Sequence, residues 1–70
     1  MNEQDERFYL KNQLEHRIYG KEEPIKTMWW IFDTAINTPL HENNKQMLLN
    51  LAESWAKGGN EVIFKALSRI

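Results

Sequence analysis

The chain contains no cysteine, only three glycines and two prolines, and no apolar run that approaches the ~20 residues needed to cross a bilayer. Without cysteine, disulfide staples and thiolate metal sites are excluded. The opening residues, Met1-Asn2-Glu3-Gln4-Asp5-Glu6, are polar and acidic, unlike a signal peptide. Together these absences give the expectation of a soluble, cytoplasmic protein with no membrane association. Charge of one sign is lacking too: nine basic residues against ten acidic leave a net charge of -1. Lys and Arg are interleaved with Glu, whereas nucleic-acid binders generally gather a basic face to neutralise phosphates. Nucleic acid is therefore not the expected partner.

Signatures of catalysis are missing as well. Ser54 and Ser68 have no histidine nearby in sequence, and no glycine-rich elbow surrounds either. Gly58-Gly59 lacks the preceding strand and the Lys-Ser/Thr ending of a phosphate-binding loop. His16 and His41 are the only imidazoles, and neither has a second His or a carboxylate at the i,i+4 spacing of a metal-binding helix. The expectation is no enzyme, no cofactor and no metal.

What is present is a helical pattern divided by a few breakers. Asn2 can cap a first helix from about Glu3 to Tyr19, stopped by Gly20, with Glu3/Arg7 and Lys11/Glu15 as i,i+4 pairs. Pro24 suits the first position of a second helix ending near Asn37, with Glu22 and Glu23 at the positive end of its dipole. A third begins either at Pro39, capped by Thr38, or a turn later, capped by Asn43 or Asn44, and stops at Gly58-Gly59. A short fourth runs from Asn60 as cap to Ile70 and needs to dock to persist. The fold class is all-α: one domain over residues 1–70, a small bundle of three longer helices plus a short C-terminal one.

Periodicity assigns the faces. In the second helix Ile25, Met28, Trp29, Phe32 and Ile36 make one stripe, expected to be core, with Trp30 and Ile31 projecting from other sides. In the third, Met47, Leu48, Leu51, Ala52 and Trp55 oppose Gln46, Asn50, Glu53 and Lys57. The expected core is Trp29, Phe32, Leu48, Leu51, Trp55, Ile63 and Leu67. Asp33 flanks the second-helix stripe at its solvent edge. In the first helix Leu10, Leu14 and Ile18 form an aliphatic seam, while Phe8, Tyr9, Asn12, His16 and Tyr19 gather on another side.

A domain this small buries only roughly 60% of the surface its unfolded chain exposes, so association is a natural supplement. The leftover residues Phe8, Tyr9, Asn12, His16, Tyr19, Trp30, Ile31 and Phe64 are the candidate partner or dimer face, with aromatics as its anchors. Trp30 is expected to matter more than Trp55 for pairing. The expected function is a non-catalytic protein–protein interaction module, an inhibitor, adaptor or regulator that occupies another protein's surface and also forms a homodimer. The alternative is a DNA-binding regulator whose helix-turn-helix is the last two helices around Gly58-Gly59-Asn60, reading DNA with Asn60, Glu61, Lys65, Ser68 and Arg69. Size and an Asn/Glu/Lys-rich composition suit a small bacterial or phage accessory protein.

Overall fold

A computed structural model describes residues 2–59 together with Glu61, Val62 and Lys65. It has three helices, α1 (Glu3–Tyr19), α2 (Pro24–Asn37) and α3 (Glu42–Gly58), and no strand among the described residues. The short fourth helix expected from Asn60 to Ile70 lies, apart from Glu61, Val62 and Lys65, outside the described residues. A 17-residue helix is about 25 Å long at 1.5 Å per residue. The molecule measures 28 × 20 × 18 Å, so the helices must lie side by side rather than end to end.

Local chemistry sets most of the boundaries. Asn2 caps α1, its side-chain oxygen accepting from the Asp5 N–H at 2.8 Å. At the other end Glu22 N–H donates back to the Arg17 carbonyl at 2.9 Å, closing a turn in which Lys21 takes the left-handed conformation with φ 59°. Gly20, the expected stop, keeps a negative φ, and a side chain there would press on the His16 carbonyl. Pro24 opens α2 as its fixed φ favours. Gly59 ends α3 with φ 70°, which only glycine adopts without strain.

The start of α3 falls at neither expected place. Its N-cap is His41, with no side-chain capping bond, and Asn44 sits inside the first turn, completely buried. The reason lies on another helix, because Glu6 of α1 takes the His41 N–H at 2.8 Å.

Each helix gives three residues to the core: Leu10, Leu14 and Ile18; Met28, Ile31 and Ala35; Leu48, Leu51 and Ala52. Trp30, Leu40, Met47, Leu49 and Trp55 pack around its edge. The seam of α1 and the division of α3 are as the periodicity implied, with Gln46, Asn50, Glu53 and Lys57 outside.

Helix α2 is the correction. Trp29 and Phe32, expected in the core, are 69% and 40% exposed, while Ile31, expected off it, is 0% exposed. The apolar arc of α2 is wider than the face its neighbours cover, and the helix is turned so that Thr27, Met28, Ile31 and Ala35 point inward. Two polar contacts hold that rotation. Thr27 Oγ1 donates to Glu22 Oε2 at 2.8 Å, and the Arg17 guanidinium lies 4.9 Å over the Trp30 ring. Ala35 and Ala52 add small side chains to the shared core, which permits close helix approach.

Candidate functional site

Three features of the surface and its margins carry chemistry. The first is the outer face of α1. Phe8, Tyr9, Asn12, His16 and Tyr19 are all exposed, on the side of the helix away from Leu10, Leu14 and Ile18. The aromatics among them are 64%, 51% and 63% exposed. The spacing that gathers them is the same helical period that buries the seam behind them. Two open grooves border this face. One, of about 480 Å³, is lined by Glu3, Gln4, Arg7, Phe8, Lys11 and Asn43, and a second lies against Asn12, Glu15, His16, Tyr19 and Gly20. Rings with polar tips, beside an amide and an imidazole, can bury apolar area against a partner while offering directional hydrogen bonds.

Two residues expected on this surface lie elsewhere, and a third is not among those described. Ile31 is fully buried and out of reach of any partner of the folded domain. Trp30 is partly buried against the core, beneath Arg17. Phe64 lies outside the described residues.

The second feature is the stripe that α2 turns outward: Ile25, Trp29, Phe32 and Ile36, at 55%, 69%, 40% and 68% exposure. A shallow depression of about 200 Å³ lies among Ile25, Met28, Trp29 and Phe32. Periodicity grouped the four stripe residues with Met28 and assigned all five to the core, where only Met28 lies. The outward position of the stripe could not be read from α2 alone, because a helical pattern defines an apolar arc and not the part of it that neighbours cover.

The third feature is a buried polar cluster where α1 and α3 begin. Glu6 Oε1 accepts from the His41 N–H at 2.8 Å and from Asn44 Nδ2 at 2.9 Å, and His41 Nδ1 lies 3.1 Å away. Asn44 Nδ2 also donates to the Glu3 carbonyl at 3.0 Å, and Arg7 Nε donates to Asn44 Oδ1 at 2.9 Å. Burial would raise the Glu6 pKa. The hydrogen bonds from Asn44 and His41, with the charge of the His41 ring, outweigh burial and hold the carboxyl below its ordinary value. Glu22 follows the same logic: burial raises it, but Thr27, Arg17 and Lys26 together lower it. Arg17 Nη1 donates to Glu22 Oε1 at 2.7 Å, while its Nε is buried without a partner. Sequence reasoning missed the Glu6 cluster although a signal existed. Glu6 continues the Leu10–Leu14–Ile18 seam one turn back, and Asn44 continues the Leu48 stripe in the same way.

Among the described residues no three His, Asp or Glu side chains gather as metal ligands would, and no helix is long and apolar enough to cross a membrane. The second helix of the helix-turn-helix considered above lies largely outside the described residues. Comparison with models of known families, with curated protein sequences and with solved structures gave no match for this chain.

Proposed function

We propose that this chain is a non-catalytic interaction module, working in the cytoplasm, that uses the outer face of α1 to occupy the surface of another protein as an inhibitor, adaptor or regulator. One observation carries the reading. Phe8, Tyr9 and Tyr19 are each more than half exposed on a helix whose opposite face already supplies the core. Side chains that large, left mostly in solvent, are the type that anchors protein interfaces. Asn12 and His16 between the rings supply the polar contacts that would fix register.

Site-specific photo-crosslinking tests this. A photoreactive residue at Asn12, centred on the face, is expected to give a discrete protein adduct in native-host extract. The same group at Asn50, on the polar side of α3, should give none. The adduct should vanish in Phe8→Ala/Tyr19→Ala while helical circular dichroism shows that the variant remains folded. Equal labelling from Asn12 and Asn50 would sink the proposal. So would tight, salt-sensitive retention on a random-sequence duplex, which would favour the DNA-binding alternative.

A further inference from the structure

We infer that the outward stripe of α2 is a homodimer contact, in which two copies pair through antiparallel α2 helices about a two-fold axis. The stripe consists of Ile25, Trp29, Phe32 and Ile36, separated by four, three and four positions. That spacing reads the same in both directions, with isoleucine at each end and an aromatic pair in the middle. A two-fold axis crossing the helix midway between Trp29 and Phe32 therefore sets Ile25 against the partner copy's Ile36. It also sets Trp29 against the partner copy's Phe32. A closed, isologous contact requires this kind of self-complementary surface.

Charge follows the same symmetry. Lys26 and Asp33 are both exposed and lie on the same flank of the stripe. In antiparallel pairing, like flanks meet. The axis that matches the apolar residues brings Lys26 to within about 3 Å, measured along the helix, of the partner copy's Asp33, a gap the lysine side chain spans. Each dimer then has this cross-pair twice. Asp33 already accepts from Asn37 Nδ2 at 2.7 Å, and a carboxylate has capacity for further donors. Parallel pairing about a two-fold would instead bring unlike flanks together, leaving Lys26 and Asp33 of the two copies on opposite sides of the contact with no cross-pair.

The exposed part of the four apolar side chains amounts to on the order of 500 Å² per copy, below the roughly 800 Å² of a standard interface. A dimer that dissociates on dilution is therefore expected, rather than an obligate one. The pairing goes beyond the interaction reading above: it names a second copy of this chain as a partner and uses a different helix from the face proposed there.

Sedimentation equilibrium of the full chain over a range of concentrations tests it. The mass should rise from 8.4 kDa in dilute solution toward twice that value at hundreds of micromolar. Trp29→Ala and Phe32→Ala should each weaken association at least tenfold, with helical circular dichroism unchanged. Lys26→Asp alone and Asp33→Lys alone should each weaken it severalfold. Mixing those two variants should give a heterodimer in preference to either homodimer, because the mixture restores both cross-pairs. A monomer at every concentration would overturn the pairing, even if the α1 face still yields its crosslink. A dimer that survives loss of Trp29 and Phe32 but is lost with Phe8→Ala/Tyr19→Ala would overturn it too, by placing self-association on α1. A dimer through α2 combined with no specific crosslink at Asn12 would uphold the pairing and sink only the role proposed for α1.

Discussion

Where α1 and α3 begin, a carboxylate and a carboxamide are buried; along α2, two isoleucines and two large aromatics face outward. The two regions invert the usual sorting in opposite senses, and different physics sustains each. Glu6 and Asn44 tolerate burial because their contacts answer one another: the carboxylate takes two N–H groups, and the carboxamide both donates and accepts. Among the described residues the α2 stripe has no such internal compensation. Contiguous exposed apolar side chains of this kind mark interaction surfaces. The inward polar cluster therefore belongs to folding, and the outward apolar stripe is the surface proposed above for association.

The sharpest way to break that division is to truncate neighbouring residues on α2. Ile31→Ala should lower stability by about 2–5 kcal/mol, the cost of emptying a fully buried aliphatic site. Trp29→Ala removes a larger side chain yet should change monomer stability by no more than about 0.5 kcal/mol. Urea denaturation at a concentration that keeps the chain monomeric measures both. If Trp29→Ala costs as much as Ile31→Ala, the stripe belongs to the core and the contrast collapses.

How much of this could be read in advance follows the range of the forces involved. The ends of α1 and α2 were legible because Asn2 and Pro24 act within one turn of themselves. The start of α3 was not, since His41 is fixed by Glu6, 35 positions away, and no local residue announces it. The α1 face of Phe8, Tyr9, Asn12, His16 and Tyr19 was legible as a face because the aliphatic seam behind it is unambiguous. Ile31 was misplaced, and Trp29 and Phe32 with it, because the apolar arc of α2 offers several rotations. The choice among them rests on Arg17–Trp30 and Glu22–Thr27, contacts that cross from one segment to the next.

The buried cluster can be tested from the other side. Asn44→Ala leaves Glu6 with one hydrogen-bond donor fewer and opens a small void, for an expected loss of about 1–3 kcal/mol. A double-mutant cycle with Glu6→Gln should show coupling of about 0.5–3 kcal/mol, since the two side chains touch. Additive effects would mean that the buried side chains act independently rather than as one cluster.

Acidity sharpens the same point. Both Glu6 and Glu22 hold their carboxyls below the ordinary value in the folded chain. Each therefore binds its proton more readily when unfolded. Their stabilisation is complete above the unfolded glutamate pKa of about 4.3, and it is lost as pH falls from there through the lowered folded values. Melting temperature should decline over that acid range and stay flat above it. Glu6→Gln should make the decline shallower, and Glu6→Gln/Glu22→Gln shallower again. An unchanged acid slope in the double variant would show that neither carboxylate matters to the fold.

The smallest expected effect bears on what separates the two faces of α2. Arg17 stacks on Trp30 and donates to Glu22, which in turn holds Thr27, so one guanidinium braces the helix against rolling. Arg17→Lys keeps the charge but loses the planar group that can stack and donate at once. The expected cost is about 0.5–1 kcal/mol, the size of a partly exposed cation–π contact. In a cycle with Trp30→Ala most of that cost should disappear, because the ring is what the guanidinium covers. If Arg17→Lys is equally costly without Trp30, the brace acts through Glu22 alone. The rotation that turns Trp29 outward would then depend on the Glu22–Thr27 hydrogen bond rather than on the stacked pair.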